Sequence, residues 1–376
     1  MFGFKNSNVY VEGKGIIKCS LAIKDNKFYS FDFNEAFEEL DDNFIIVPGF
    51  IDEHIHGAND SDVMDASLYA LDNMSLVLPK EGVTSFLATT MTMEESKIIA
   101  ALNNIGDYKI SKGAELLGVH LEGPFISKVF IGAQDKENIV KPTKELIEKF
   151  IKASNNKIKV ITIAPEETNE DIYKLLKEHN IIISAGHTNA TCDEIKKAID
   201  LGLTTMTHTY NVMKGFHHRE VGTIGASLLF DELACEVICD LHHSSKEAIQ
   251  LLYKNKPKDK LILITDSMEA KFLLAGEYSL GGQKVFVKDG TARLIDNTLA
   301  GSILHMNDAI RNLKDVCELS LEEAIDKATI NPAKNLRIDK NKGSISLGKD
   351  ADFVIIDRNL NVYRTYVNGK EVYRKK

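Results

Sequence analysis

Residues 49–56 read Gly-Phe-Ile-Asp-Glu-His-Ile-His. The apolar, β-branched opening is that of a buried strand, and it closes on two histidines one residue apart. Side chains at i and i+2 of a strand share a face, so His54 and His56 aim their imidazoles the same way. Seven further runs of this texture follow, at 84–90, 116–121, 159–164, 181–185, 204–208, 235–239 and 261–265. Amphipathic stretches lie between most of them, at 93–105, 143–153, 169–179, 191–201 and 244–254. Strands alternating with helices pair in parallel, and eight is the number that closes a cylinder. An open doubly wound sheet would need a glycine-rich phosphate turn after its first strand, and Gly49-Phe50-Ile51 is not one. The expected class is therefore α/β, a (β/α)8 TIM-type barrel over residues 49–340.

The flanks have a different texture. Residues 1–48 and 341–376 carry short strand-like runs broken by turn residues, among them Asp352-Phe-Val-Ile-Ile-Asp357 and the turn Asn368-Gly369. Neither flank is large enough to be a stable sheet alone, so the two are expected to pair as one small β-sandwich domain outside the barrel. A chain of 376 residues suffices for both units without disulfide staples. The formal charge is −9 and Lys and Arg are not concentrated anywhere, which argues against nucleic acid or an anionic membrane as partner. A small anionic substrate remains compatible with that charge. Residues 1–23 lack a basic start followed by an apolar core, and no run approaches the length of a membrane span. Cys19, Cys192, Cys235, Cys239 and Cys317 are scattered with no Cys-x-x-Cys pair, as expected for reduced thiols in the cytoplasm.

The ends of the runs carry the chemistry. The first closes on His54 and His56, the third on His120-Leu-Glu122, the fifth on Gly186-His187, the sixth on His208 and the eighth on Thr265-Asp266. In a (β/α)8 barrel the active site is built at the carboxyl ends of the strands, so five strands deliver His, Glu or Asp to one rim. One such histidine would ordinarily be a core or rim residue; five strands ending this way is a metal site. The donors His54, His56, Glu122, His187, His208 and Asp266 offer imidazole nitrogen and carboxylate oxygen. That set suits a divalent transition metal, Zn, Fe, Mn or Co, over Mg or Ca. Six donors fit two ions, with His54, His56 and Asp266 on one, His187 and His208 on the other, and Glu122 between. A single ion on Glu122, His187 and His208 is the alternative. The fourth run ends Ala164-Pro-Glu166, with no lysine to bridge two ions, and His120 is placed beneath the centre.

These residues sit in recognisable surroundings: Pro48-Gly-Phe-Ile-Asp52, His120-Leu-Glu-Gly-Pro-Phe125, Ser184-Ala-Gly-His-Thr-Asn-Ala-Thr191, Thr207-His-Thr-Tyr-Asn211, Leu299-Ala-Gly-Ser302 and Asn331-Pro-Ala333. On them the chain resembles the N-acetylglucosamine-6-phosphate deacetylases of the amidohydrolase superfamily, over essentially its whole length. The resemblance implies hydrolysis of the acetamide of an amino-sugar 6-phosphate, with the galacto epimer as a near rival. It implies that Glu122, His187 and His208 bind the principal metal, that the His54/His56 pair binds a second, and that Asp266 is the catalytic carboxylate. It places Asn211, Arg219 and His243 on the sugar phosphate, a grip that can come from a neighbouring subunit and so implies a homodimer. Gln134 stands where the family usually has histidine and is expected to bond a sugar hydroxyl or carbonyl. Asp240-Leu-His-His243 replaces Asp-Gly-x-His, which leaves His242 and His243 as rivals for one position.

Overall fold

The computed structural model describes residues 1–33, 37–109 and 111–376. At its centre eight parallel strands stand side by side in chain order: Phe50–Ile55, Val83–Thr89, Glu115–Glu122, Ile158–Ile163, Ile182–Ala185, Leu203–Met206, Ala234–Ile238 and Leu261–Ile264. Each matches an expected run to within two residues at either end. They curl into a nearly closed barrel. At the carboxyl end of its seam the Asp266 N–H donates to the His54 carbonyl (2.9 Å), and the Thr265 hydroxyl donates to Asp52 (2.5 Å). Lower down, the N–H groups of Ile51 and Leu263 donate instead to the carbonyls of Ala328 and Lys327, both at 2.8 Å. A short stretch of later chain thus wedges the seam where first and eighth strands do not meet.

The helices begin where their caps predict. The side chains of Thr143, Asn169, Thr191 and Ser245 each accept the N–H three residues on, and Glu194 completes a capping box with Thr191. Caps of this kind are worth about 1 kcal/mol each. The helix Cys192–Leu201 stops on Gly202, whose φ of +116° an L side chain would tolerate poorly. Apolar faces such as Ile98, Leu102 and Ile105, or Ile147, Phe150 and Ile151, seal the outside of the barrel.

The two chain ends do pair. Phe2–Val11, Gly15–Lys24, Lys27–Ser30, Glu38–Glu39 and Phe44–Pro48 join Phe353–Asp357, Val362–Val367 and Lys370–Arg374 in one mixed sheet. Phe44–Pro48 is the hinge of that sheet, parallel to Phe2–Val11 and antiparallel to Phe353–Asp357. The sheet encloses a core of its own around Phe4, Phe28, Phe353 and Tyr366, the last two stacked at 4.3 Å.

One element was not expected. After the eighth strand the chain makes a three-stranded antiparallel sheet, Gly276–Leu280, Gln283–Lys288 and Thr291–Arg293, before re-entering the barrel. Its turns are Gly281-Gly282 and Asp289-Gly290, strong two-residue hairpin signals that lie inside the region read as barrel. The excursion is pinned at its base, where the Ser302 N–H donates to the Asp266 carbonyl (2.8 Å) and the Met268 N–H to the Ser302 carbonyl (3.0 Å).

Candidate metal centre and active site

All six sequence-predicted donors meet at the carboxyl mouth of the barrel. Glu122 is central. Its Oε1 lies 3.0 Å from His208 Nε2 and 3.2 Å from His187 Nε2, and its Oε2 lies 3.2 Å from His56 Nε2. Asp266 Oδ1 is 3.2 Å from His56 Nε2 and 3.5 Å from His54 Nε2. Among the described residues three groups bring their donor atoms within 4.8 Å of one another: His54/His56/Asp266, Glu122/His187/His208, and His54/His120/Glu236 behind them. The two Glu122 oxygens face different groups, the geometry of a bridging carboxylate.

His54 and His56 are aimed by strand alternation, as expected. Glu122 is the last residue of its strand, whereas the remaining three donors are not set by strand alternation. The sixth strand stops at Met206, and His187 (φ +48°), His208 (φ +31°) and Asp266 (φ +48°) all lie just past strand ends in the left-handed region. Non-glycine residues there cost about 1–3 kcal/mol each, a strain characteristic of functional sites. Gly186 makes the first of these turns possible, because a Cβ on it would fall 2.7 Å from Thr207 Cβ.

The imidazoles are oriented from behind. Nδ1–H of His56 donates to the Thr89 carbonyl (3.2 Å), and that of His187 to the Phe130 carbonyl (3.1 Å). His54 Nδ1 is held by Glu236 Oε2 (3.0 Å). Each therefore turns Nε2 to the centre, and the buried His54 Nε2 has no hydrogen-bond partner. His120 is different: Nδ1 engages the Glu53 carbonyl (3.2 Å) and Nε2 the Thr162 hydroxyl (2.7 Å). Both nitrogens are used, so it packs beneath His54 and is no donor. Burial pulls its pKa down to about 4, aided by the charge of His54.

The charge balance asks for a cation. Burial disfavours charge on Glu122, Asp266 and Glu236, yet the facing imidazoles, His54 foremost, hold all three below the usual carboxylate range, Asp266 at about 2. Burial likewise opposes protonation of His54 and His56. The carboxylates outweigh it, pushing His54 well up and His56 to about 9. With protons alone to compensate, the imidazoles must carry them; a metal ion would take their place. Converging Nε2 atoms, an orphaned donor and surplus buried anions fit a transition metal.

Over the donors opens a cleft lined by His56, Glu122, Gln134, His187, His208 and Asp266, and also by Asn211, His243, Leu280 and Leu299. The Gln134 carbonyl accepts the Thr92 N–H (2.7 Å), so its amide N–H groups point to Glu122 Oε2 (3.1 Å). The Asn211 amide donates to the His208 carbonyl (3.2 Å). His243, anchored through Nδ1 to Asp240 (2.7 Å), lines the cleft, whereas His242 is exposed. Arg219 is not brought to this cleft. It lies on an exposed turn beside His218 (2.9 Å) and does not pair with Glu220, which accepts the N–H groups of Cys192 and Gly222. Glu166, at the end of the fourth strand, faces away from the donors and ties down Thr188 (2.5 Å) and Asn189 (2.6 Å) behind His187. Glu236 escaped the sequence reading, although a lone charge within Ala-Cys-Glu-Val-Ile was the signal.

A barrel with such donors at its carboxyl mouth is the architecture of a metal-dependent hydrolase, and residues 45–372 match the amidohydrolase family, to which the chain belongs. Within it the chain is 45% identical over 338 residues to the N-acetylglucosamine-6-phosphate deacetylase of Bacillus subtilis, covering 88% of this chain and 85% of that one. It is 34% identical over 329 residues to the N-acetylgalactosamine-6-phosphate deacetylase of Escherichia coli O157:H7, covering 87% of each. The crystal structure of N-acetylglucosamine-6-phosphate deacetylase from Thermotoga maritima superposes with a TM-score of 0.90 at 34% identity over 99% of both chains.

Proposed function

We propose that this chain hydrolyses the acetamide of N-acetylglucosamine 6-phosphate, releasing acetate and the free amine. The observation that carries the reading is the convergence of four imidazole Nε2 atoms on Glu122 and Asp266 at the floor of an open cleft, in a chain so similar to known deacetylases. His54, His56 and Asp266 would hold one ion, His187 and His208 a second, with Glu122 shared; Zn, Fe, Mn and Co all suit these donors. When bound, such ions supply Lewis acidity toward a carbonyl oxygen and make hydroxide accessible near neutral pH. Asp266, held anionic by its imidazole neighbours, accepts the proton of the attacking water. It returns that proton to the nitrogen as the C–N bond breaks, so the product leaves as neutral amine. With Nδ1 committed to Asp240, His243 is left with Nε2 for a sugar hydroxyl, while the Gln134 amide, engaged with Thr92 and Glu122, steadies Glu122.

Arg219, exposed and off its own cleft, is assigned to the phosphate in the cleft of a second copy, which makes the working unit a homodimer. Among the described residues no helix is long and apolar enough to cross a membrane, and the five cysteines are free thiols; we place the enzyme in the cytoplasm. The test is a free-amine assay on both N-acetylhexosamine 6-phosphates, with metal content measured in the same samples. Faster release from the gluco substrate is expected. Preference for the galacto epimer would reassign the substrate, and no amine from either would overturn the reading.

A further inference from the structure

The chemistry proposed above leaves a carboxylate that touches the metal donors, Glu236, without a task. Glu236 stands in the middle of the seventh barrel strand, Ala234–Ile238, fully buried, at a position a parallel strand ordinarily fills with an apolar side chain. An ion there is costly unless its bonds repay the lost water. Its Oε2 takes two such bonds, from His54 Nδ1–H (3.0 Å) and from the main-chain N–H of His208 (3.1 Å). The Glu236 carbonyl adds a third tie, accepting the Thr209 N–H at 2.8 Å.

Each bond has a consequence for metal binding. A proton fixed on Nδ1 of His54 leaves the Nε2 lone pair facing the space shared with His56 and Asp266. The bond to His208 fastens a backbone at φ +31°, a conformation that would otherwise relax. A single oxygen therefore aims one donor in each of the two ligand groups. Of the other metal-donor histidines, His56 and His187 rest on neutral carbonyls and His208 Nδ1 has no hydrogen-bond partner; among these four only His54 rests on a carboxylate, which also strengthens it as a donor.

We propose that Glu236 is a positioning residue of the metal centre, one that commits His54 to binding through Nε2 and locks its placement to that of His208. The inference rests on the reading that His54, His56 and Asp266 hold an ion. Its test is titration of the metal-free full-length protein with Co(II), following visible absorption and ions bound per chain by equilibrium dialysis. Wild type is expected to take up two. E236Q keeps an oxygen that can accept both N–H groups and removes only the charge, so one of the two ions should bind roughly 10- to 100-fold more weakly. The other should stay within about threefold, since His187 rests on the Phe130 carbonyl and the glutamine oxygen still accepts the His208 N–H. E236L, which removes the acceptor for both N–H groups, should lose the His54/His56 ion with its part of the Co(II) spectrum and weaken the other ion beyond the effect of E236Q. A wild type that binds at most one ion overturns the two-ion reading and this inference with it. A wild type that binds two, beside E236Q with unaltered affinity for both, overturns the role of Glu236 alone.

Discussion

Replacing Asp266 with Asn separates the base from its scaffold. The side chain lies just beyond the eighth strand and is only 8% exposed, with Oδ1 3.2 Å from His56 Nε2. Asn fills the same space, and the bond from the residue 266 N–H to the His54 carbonyl survives, as does that from Ser302 to the 266 carbonyl. The negative charge and the proton-accepting oxygen are what is lost. General acid–base catalysis is worth about 10²–10⁴ in rate, which at 1.36 kcal/mol per decade adds roughly 2.7–5.4 kcal/mol to the barrier. KM should change little, because the phosphate contact proposed for Arg219 does not involve Asp266. The assay is steady-state amine release by D266N at saturating metal, with bound metal measured in parallel, since Asp266 is also a donor to the His54/His56 group. A kcat within about fivefold of wild type at full metal occupancy would refute the assignment.

Removal of metal by a strong chelator should abolish turnover and lower the melting temperature. Ions present at 100 times their Kd stabilise the fold by about 2.7 kcal/mol, so activity that survives complete stripping rules out a metal mechanism. R219A should raise KM for the phosphorylated sugar far more than for the unphosphorylated one; equal effects would remove Arg219 from the phosphate. Mixed dimers of R219A with D266N should regain activity if the arginine serves the neighbouring cleft, and remain as poor as the parents if it serves its own. K271M should cost up to about 3 kcal/mol by denaturant unfolding at neutral pH, because it removes the buried cation that contacts Glu81 at 2.6 Å and leaves that carboxylate only His305 and the Met306 N–H. Burial pushes the Glu81 pKa up, but Lys271 and His305 outweigh it and leave it lowered. The pair is therefore fully stabilising above the ordinary glutamate value of about 4.3. That contribution is lost as pH falls through the lower folded-state value. The gap between wild type and K271M should narrow in acid; a gap independent of pH would contradict the ion pair.

The barrel was legible because its strands are nearly continuous apolar runs and its donors interrupt them. His54 and His56 could be placed by strand alternation alone. His187, His208 and Asp266 could be assigned to the rim but not aimed, because their orientation comes from left-handed turns that no strand parity describes. Glu236 was hidden by the opposite effect: it sits inside a strand rather than at its end, so a run read as core absorbed it. Arg219 shows another limit, since residue type suggested an anion ligand but could not say that the fold leaves it on an exposed turn away from its own cleft. The inserted sheet announced itself through Gly-Gly and Asp-Gly, yet alternation over residues 276–293 is too polar to stand out beside the barrel runs.

That inserted sheet has an evolutionary consequence. Because Ser267 and Ser302 pair at its base, the excursion leaves and rejoins the barrel at nearly the same point, and its apolar residues pack chiefly on one another and on Met91. It behaves as an interchangeable roof. Lengthening it or redrawing its Leu280 and Leu299 edges would reshape the space over the sugar without moving Asp266. Selection for a new sugar could therefore act on this segment while the hydrolytic floor stays constant.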